Sequence, residues 1–125
     1  MESSRSFKDL KVWQKARELR KEISMLTKSF PTEEKFMLTS QMVRASRSIT
    51  ANIAEGHGRF HFKENVQFCR QARGSAAEMI DHLTVALDED YIEEGVYLAL
   101  EARLEEMMKM LNGYIAYLQK QHATN

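Results

Sequence analysis

The sequence predicts an all-α fold: an antiparallel up-down-up-down four-helix bundle built from a single domain over residues 1–125. One proline and five glycines in 125 residues leave few positions that break a helix. Apolar residues recur three and four positions apart along four segments, which is the spacing of one helix face. Short connections join these segments, so successive helices are expected to run antiparallel around a common core.

The first helix is expected over residues 7–29. Phe30 precedes Pro31, and a residue before proline is disfavoured in the α conformation, so this pair ends the helix. The apolar stripe of this segment comprises Phe7, Leu10, Trp13, Ala16, Leu19 or Arg20, Ile23 and Leu26.

The second helix is expected over residues 33–55. Thr32 is a suitable N-cap, and the two glutamates that follow it favour the first turn because they oppose the helix dipole. Gly56 is expected to take the left-handed conformation that closes a helix. The apolar stripe comprises Leu38, Met42, Ala45, Ile49 and Ile53.

The third and fourth helices are expected over residues 62–87 and 91–120. Asp90 and Glu93 are three residues apart, as in a capping box at the start of the fourth helix. The third stripe comprises Val66, Cys69, Ala72, Ala76, Met79 or Ile80, Leu83 and Leu87. The fourth comprises Val96 or Tyr97, Leu100, Leu104, Met107 or Met108, Leu111, Ile115 and Leu118.

Composition and charge limit the classes of protein to which this chain can belong. No apolar run approaches the roughly 18 residues of a membrane span, and the first residues lack the apolar stretch of a signal peptide. A single cysteine forms no internal disulfide, which favours a cytoplasmic location. Residues 1–62 carry 12 Lys/Arg and 7 Asp/Glu, whereas residues 63–125 carry 6 and 11. This polarity can steer an acidic partner to one face, or let two halves of the bundle or two subunits attract each other.

A polar cluster surrounds the expected end of the second helix. Glu55 is unfavourable near a helix C-terminus and is expected to pair with Arg59 or Arg44. Asn52 or Arg59 could also donate to the carbonyls left over at that helix end. The cluster is therefore either an internal fastening of the turn or a contact for a ligand or subunit.

Small side chains on the second and third helices predict that the two backbones approach closely, or that another subunit packs there. The alternative is a binding groove. The small residues are Ala45, Ser46, Ser48, Thr50, Ala51 and Ala54 on the second helix, and Ala72, Gly74, Ser75, Ala76 and Ala77 on the third.

Five arginines form the candidate contact surface for nucleic acid or another subunit. They are Arg44, Arg47, Arg59, Arg70 and Arg73. A hairpin that turns near Gly58 brings the pair Arg44 and Arg47 to a similar height in the bundle as the pair Arg70 and Arg73. Guanidinium groups have the geometry to bind phosphate. The alternatives are a solvated face and ion pairs between subunits with Glu93, Glu94, Glu105 or Glu106. No helix-turn-helix or RNP motif is present.

No catalytic site, metal site or cofactor is predicted. His57 and His61 are four residues apart, but a glycine-bearing turn separates them. Glu78 and His82 lack the duplicate that a di-iron bundle needs. Cys69 falls on an apolar stripe and is expected to be a small buried side chain.

Several segments together carry a family resemblance. They are residues 7–16 (FKDLKVWQKA), Phe30-Pro31, Glu34, Leu38-Thr39, Gln41, Arg44-Ala45, residues 48–59 (SITANIAEGHGR), Gly74-Ser75, Glu78 and Met110-Leu111. This pattern resembles the four-helix-bundle family of 23S rRNA intervening-sequence proteins, to which the accessory variability proteins of diversity-generating retroelements are related. Its motif residues here are Asn52, Glu55, Gly56, Gly58 and Arg59 in the turn, and Gly74, Ser75 and Glu78 on the third helix.

The resemblance implies a bacterial cytosolic bundle that assembles into a homopentameric ring, with no molecular activity established for the family at large. The retroelement relatives are basic and contact nucleic acid and a reverse transcriptase, a pattern from which this chain's net charge of zero departs. We therefore expect a non-enzymatic adaptor whose ring presents a surface to a macromolecular partner. The alternative is an RNA- or DNA-binding accessory factor that uses the arginines. No membrane contact is expected.

Overall fold

Four α-helices form the fold in the computed structural model, which describes residues 6–124. They are α1 (Lys11–Thr27), α2 (Leu38–Gly58), α3 (Phe62–Asp88) and α4 (Glu94–Thr124). α1 packs on α2, α2 on α3, α3 on α4, and α4 returns to α1. α2 and α4 therefore lie diagonally across the bundle. The predicted all-α four-helix bundle is confirmed.

A single apolar core runs through the bundle, and every helix contributes to it. The predicted stripes supply most of its side chains because the i, i+3 and i+4 positions of each helix face inward. Its largest fully buried side chains are Ile23, Met42, Ile49, Ile53, Met79, Leu83, Leu104, Met107, Leu111 and Cys69.

The start of α1 differs from the prediction of one helix over residues 7–29. A 3₁₀ turn at Phe7–Asp9 is followed by Leu10 in an extended conformation, with φ −71° and ψ 124°. The Phe7 ring packs edge-on against Trp13, with 5.1 Å between ring centroids. This contact folds the turn back onto the bundle, and the α-helix itself begins at Lys11 and ends at Thr27.

The start of α2 also differs, because Thr32 does not act as its N-cap. Thr32–Glu34 forms a separate 3₁₀ turn, and α2 begins only at Leu38. The Glu34 carboxylate accepts the backbone N–H of Leu38 at 3.3 Å and the hydroxyl of Tyr91 at 2.7 Å. Glu34 thus stabilises the first turn of α2 and links it to the connection between α3 and α4.

Asp90 ends α3 and does not cap α4. It has φ 62°, in the left-handed region. Its N–H donates to the carbonyl of Leu87 at 3.0 Å, and the N–H of Tyr91 donates to the carbonyl of Ala86 at 2.9 Å. These two bonds form a Schellman motif, which satisfies the last carbonyls of a helix. α4 therefore starts at Glu94, three residues later than predicted, and extends to Thr124.

Candidate functional site

Arg59 fastens the turn between α2 and α3 from inside the same chain. Its Nη2 donates to Glu55 Oε2 at 2.8 Å, and its Nη1 donates to Glu64 Oε2 at 3.4 Å. The guanidinium also lies 5.1 Å from the ring centroid of Phe68. The hydrogen bond to Glu55 raises the pKa of Arg59 above its ordinary value. Both carboxylates that could attract an external cation here are thus already engaged.

Asn52 supports Ser48, the residue that links α2 to α3, and does not donate to the carbonyls at the end of α2, one of the alternatives raised by the sequence. Its amide donates to the carbonyl oxygen of Ser48 at 2.9 Å and to Ser48 Oγ at 3.0 Å. Ser48 Oγ in turn lies 2.9 Å from Ser75 Oγ on α3. The side chain bonds one turn back along its own helix because that hydroxyl pair lies beside it.

Gly56 is required by the close approach of two helices, and the prediction that it closes α2 in a left-handed conformation was wrong. It lies within α2, is buried and has no positive φ. A Cβ atom at this position would lie 2.7 Å from Asn65 Oδ1 and 2.9 Å from Phe68 Cβ. Gly58, the other turn glycine, has nothing within 4 Å of the same added atom. The left-handed residue after α2 is Phe60, with φ 54°.

Asn65 is a buried polar residue that was not among the predicted site residues. It is 7% exposed, and its amide donates to the hydroxyl of Tyr114 on α4 at 3.2 Å. Its carbonyl oxygen Oδ1 accepts the thiol of Cys69 at 3.6 Å. Burial raises the pKa of Cys69 to about 12. The available signal was the position of Asn65, four residues before Cys69 on the same stripe.

The motif residues of α3 have separate surroundings. Gly74 is exposed with nothing within 4 Å of an added Cβ, so it has no part in close packing against α2. The Ser75 hydroxyl is hydrogen-bonded to that of Ser48, and Glu78 Oε2 lies 2.9 Å from Nε2 of His82.

The predicted small-residue face of α2 and α3 is divided between buried and exposed positions. Ala45, Ala72 and Ala76 are buried, whereas Ala51, Gly74 and Ala77 are exposed.

The five arginines do not form one surface. Arg73 Nη1 donates to Asn112 Oδ1 on α4 at 2.6 Å, and Arg70 lines a cavity between α3 and α4. Arg44 and Arg47 are exposed on α2, which lies diagonally opposite α4. The hairpin separates the two pairs because α3 directs its arginines toward α4.

No metal or membrane feature is found within residues 6–124. No group of three or more His, Cys, Asp or Glu side chains in this range could hold a metal ion. None of the helices in the same range is both long and apolar enough to cross a membrane.

The fold and the turn define the class: an antiparallel four-helix bundle in which the motif residues Gly56, Arg59 and Ser75 support the contact between α2 and α3. The family model for the 23S rRNA-intervening sequence protein matches residues 8–113, and the chain belongs to this family. A solved crystal structure is similar, that of a protein of unknown function from the S23 ribosomal protein family of Bacteroides thetaiotaomicron VPI-5482. It is 26% identical, with a TM-score of 0.77, and the match covers 84% of this chain and 95% of that one. A search of curated proteins found no match.

Proposed function

We propose that this protein is a non-enzymatic assembly or adaptor module of the cytoplasm that forms a homo-oligomer, a pentameric ring as the family resemblance implies. The ring presents a surface to a macromolecular partner. The observation that carries the proposal is a set of apolar side chains exposed beside the groove between α1 and α4. The descriptions of the family and of the similar structure name no enzymatic activity.

The α1–α4 groove is open, apolar and flanked by charge. Met25 is 67% exposed and Val96 38% exposed, and with Leu26, Ala99 and Leu100 they line a cavity of about 450 Å³. An ion pair between Glu22 and Arg103 lies beside it. Exposed apolar patches of this kind mark contact sites between proteins.

A second apolar projection precedes α2. Phe36 is 86% exposed and Met37 is 60% exposed. A closed ring needs two different surfaces that complement each other, because each subunit uses one patch to contact the next subunit's other patch. The groove and this projection give each chain two distinct apolar surfaces, which supports a ring.

The test is a measurement of mass by light scattering after size-exclusion chromatography, at micromolar concentration. We expect the unmodified protein to have about five times the mass of one chain. Val96→Glu places a charge in the groove and is expected to shift the mass toward one chain, since burying an unpaired carboxylate is costly. Val85→Glu is the matched control, because Val85 on α3 is also 38% exposed. A monomeric unmodified protein would overturn the proposal.

The alternative function is that of an RNA- or DNA-binding accessory factor related to the accessory variability proteins of retroelements. Arg44, Arg47 and Arg70 favour it, because all three are exposed and none takes part in an ion pair within the described residues. Binding to duplex DNA should then weaken with salt, with a log–log slope of about −0.9 for each phosphate neutralised. Absence of binding to RNA and DNA at about 50 mM salt excludes this alternative.

A further inference from the structure

A cavity of about 390 Å³ lies between α3 and α4, beside the start of α3. Four residues of the first turns of α3 and three near the end of α4 line it, together with Arg70 one turn further along α3. They are Phe62, Lys63, Val66, Gln67, Arg70, Leu118, Gln119 and His122. Neither the family motif nor the proposed adaptor surface uses this cavity.

The inner wall of the cavity is apolar. Val66 is 6% exposed and Leu118 is 4% exposed, so the base of the cavity belongs to the core. Phe62 is half-buried, and its ring centroid lies 6.3 Å from that of His122. Pockets for small molecules have this character, with apolar and aromatic walls and a few polar groups that orient the ligand.

The rim of the cavity is cationic. Lys63 and Arg70 are exposed at its edge, so their charged groups can reach a ligand that rests on the apolar wall. Residues 62–77 and 107–124 contain five lysines and arginines but one acid, Glu64. Arg59 already contacts that carboxylate at 3.4 Å. The field at the cavity is therefore positive, and an anion is favoured over a neutral or cationic ligand.

We propose that this cavity binds a small amphipathic anion, with an aromatic or short aliphatic body and one carboxylate or phosphate group. The body packs on Val66, Leu118 and the Phe62 ring. The anionic group accepts hydrogen bonds from Arg70, whose planar fork matches a carboxylate or phosphate, and draws on the charge of Lys63. Gln67 and Gln119 at the edge provide neutral amide donors.

The test is isothermal titration of the full-length protein with three probes: 2-naphthoate, 2-naphthyl phosphate and the uncharged 2-naphthamide. We expect saturable binding of at least one anion at one site per chain, and binding of the amide about tenfold weaker. Whichever anion binds more tightly identifies the preferred head group. Absence of binding by both anions, or equal binding by the amide, overturns the proposal.

Two pairs of variants locate the site. Arg70→Gln is expected to weaken anion binding about five- to tenfold, whereas Arg17→Gln, at an exposed arginine on α1 outside the cavity, should leave it unchanged. Gln119→Trp fills the cavity from an exposed position and should abolish binding, whereas Gln71→Trp, exposed on α3 but outside the cavity, should not. Circular dichroism and light scattering confirm that each variant is folded and assembled like the parent. Equal effects within either pair contradict the assigned site.

Discussion

At the scale of single residues, Gly56 and Asn65 are matched to each other across the α2–α3 contact. Gly56 leaves room for the side chain of Asn65, which then reaches Tyr114 on α4. One missing side chain on α2 thus allows a buried amide to connect two other helices.

Gly56→Ala tests this fit. The added methyl group would lie 2.7 Å from Asn65 Oδ1 and 3.1 Å from its backbone oxygen, so neighbouring atoms must move. We expect a net loss of about 1–2 kcal/mol in the free energy of unfolding, because overpacking outweighs the helix preference of alanine. Gly74→Ala is the control: its added methyl meets nothing within 4 Å, so a gain of about 0.5–1 kcal/mol is expected. Urea denaturation measures both, and a stabilised Gly56→Ala would refute the packing argument.

The contact partners of some residues can be predicted from the sequence, and those of others cannot. The pairing of Glu55 with Arg59 follows from the helix dipole and a spacing of four, both of which are local. The bond between Asn65 and Tyr114 joins residues 49 positions apart. Nothing local to either residue indicates its partner, because that contact depends on how α3 and α4 are packed.

At the scale of elements, α2 ends with a residue in a backbone conformation that its residue type disfavours. The left-handed position after this helix holds Phe60, which is 88% exposed, whereas glycine is the usual residue there. Asp90 occupies the equivalent position after α3, where a short polar side chain tolerates the left-handed region better. A prediction that ends α2 at a glycine is therefore wrong, because Gly56 and Gly58 both lie within the helix.

Phe60→Gly should stabilise the protein. Removal of the side chain relieves a left-handed conformation that costs a non-glycine residue roughly 1–2 kcal/mol, less the added chain entropy of glycine. We expect a net gain of about 0.5 kcal/mol in the free energy of unfolding, measured by urea denaturation. Phe60→Ala provides the comparison, because alanine also lacks the ring but keeps the Cβ atom that disfavours a positive φ, so it should gain nothing. Equal effects of the two changes would show that strain at Phe60 is not responsible.

At the scale of the whole molecule, one core joins the helices, and Cys69 lies within it fully buried. Burial raises the pKa of this thiol from 9.0 to about 12. The unfolded chain therefore loses the proton first as pH rises, so the thiol's contribution to stability is complete below about pH 9 and declines as the pH approaches 12.

The expected result is a fall in the free energy of unfolding between pH 9 and 10, at up to about 1.4 kcal/mol per pH unit from this group. Cys69→Ala removes the titrating thiol. It should lower stability at pH 8 through lost packing, yet make the slope between pH 9 and 10 shallower. Urea denaturation at half-unit steps measures both slopes, and identical slopes would exclude Cys69 as the source.

The sequence by itself determined the fold class, the four helical segments, the inward stripes and the family, because helix periodicity and the family motif are properties of neighbouring residues. Tertiary structure alone decided where α2 begins, why Gly56 is a glycine, and how the arginines are divided between α2 and the α3–α4 side. Each of these depends on a contact between different elements of the fold: Glu34 with Tyr91, Gly56 with Asn65, and Arg73 with Asn112. The periodicity of a helix predicts on which of its faces a residue lies. The packing of neighbouring helices determines which residues that face contacts.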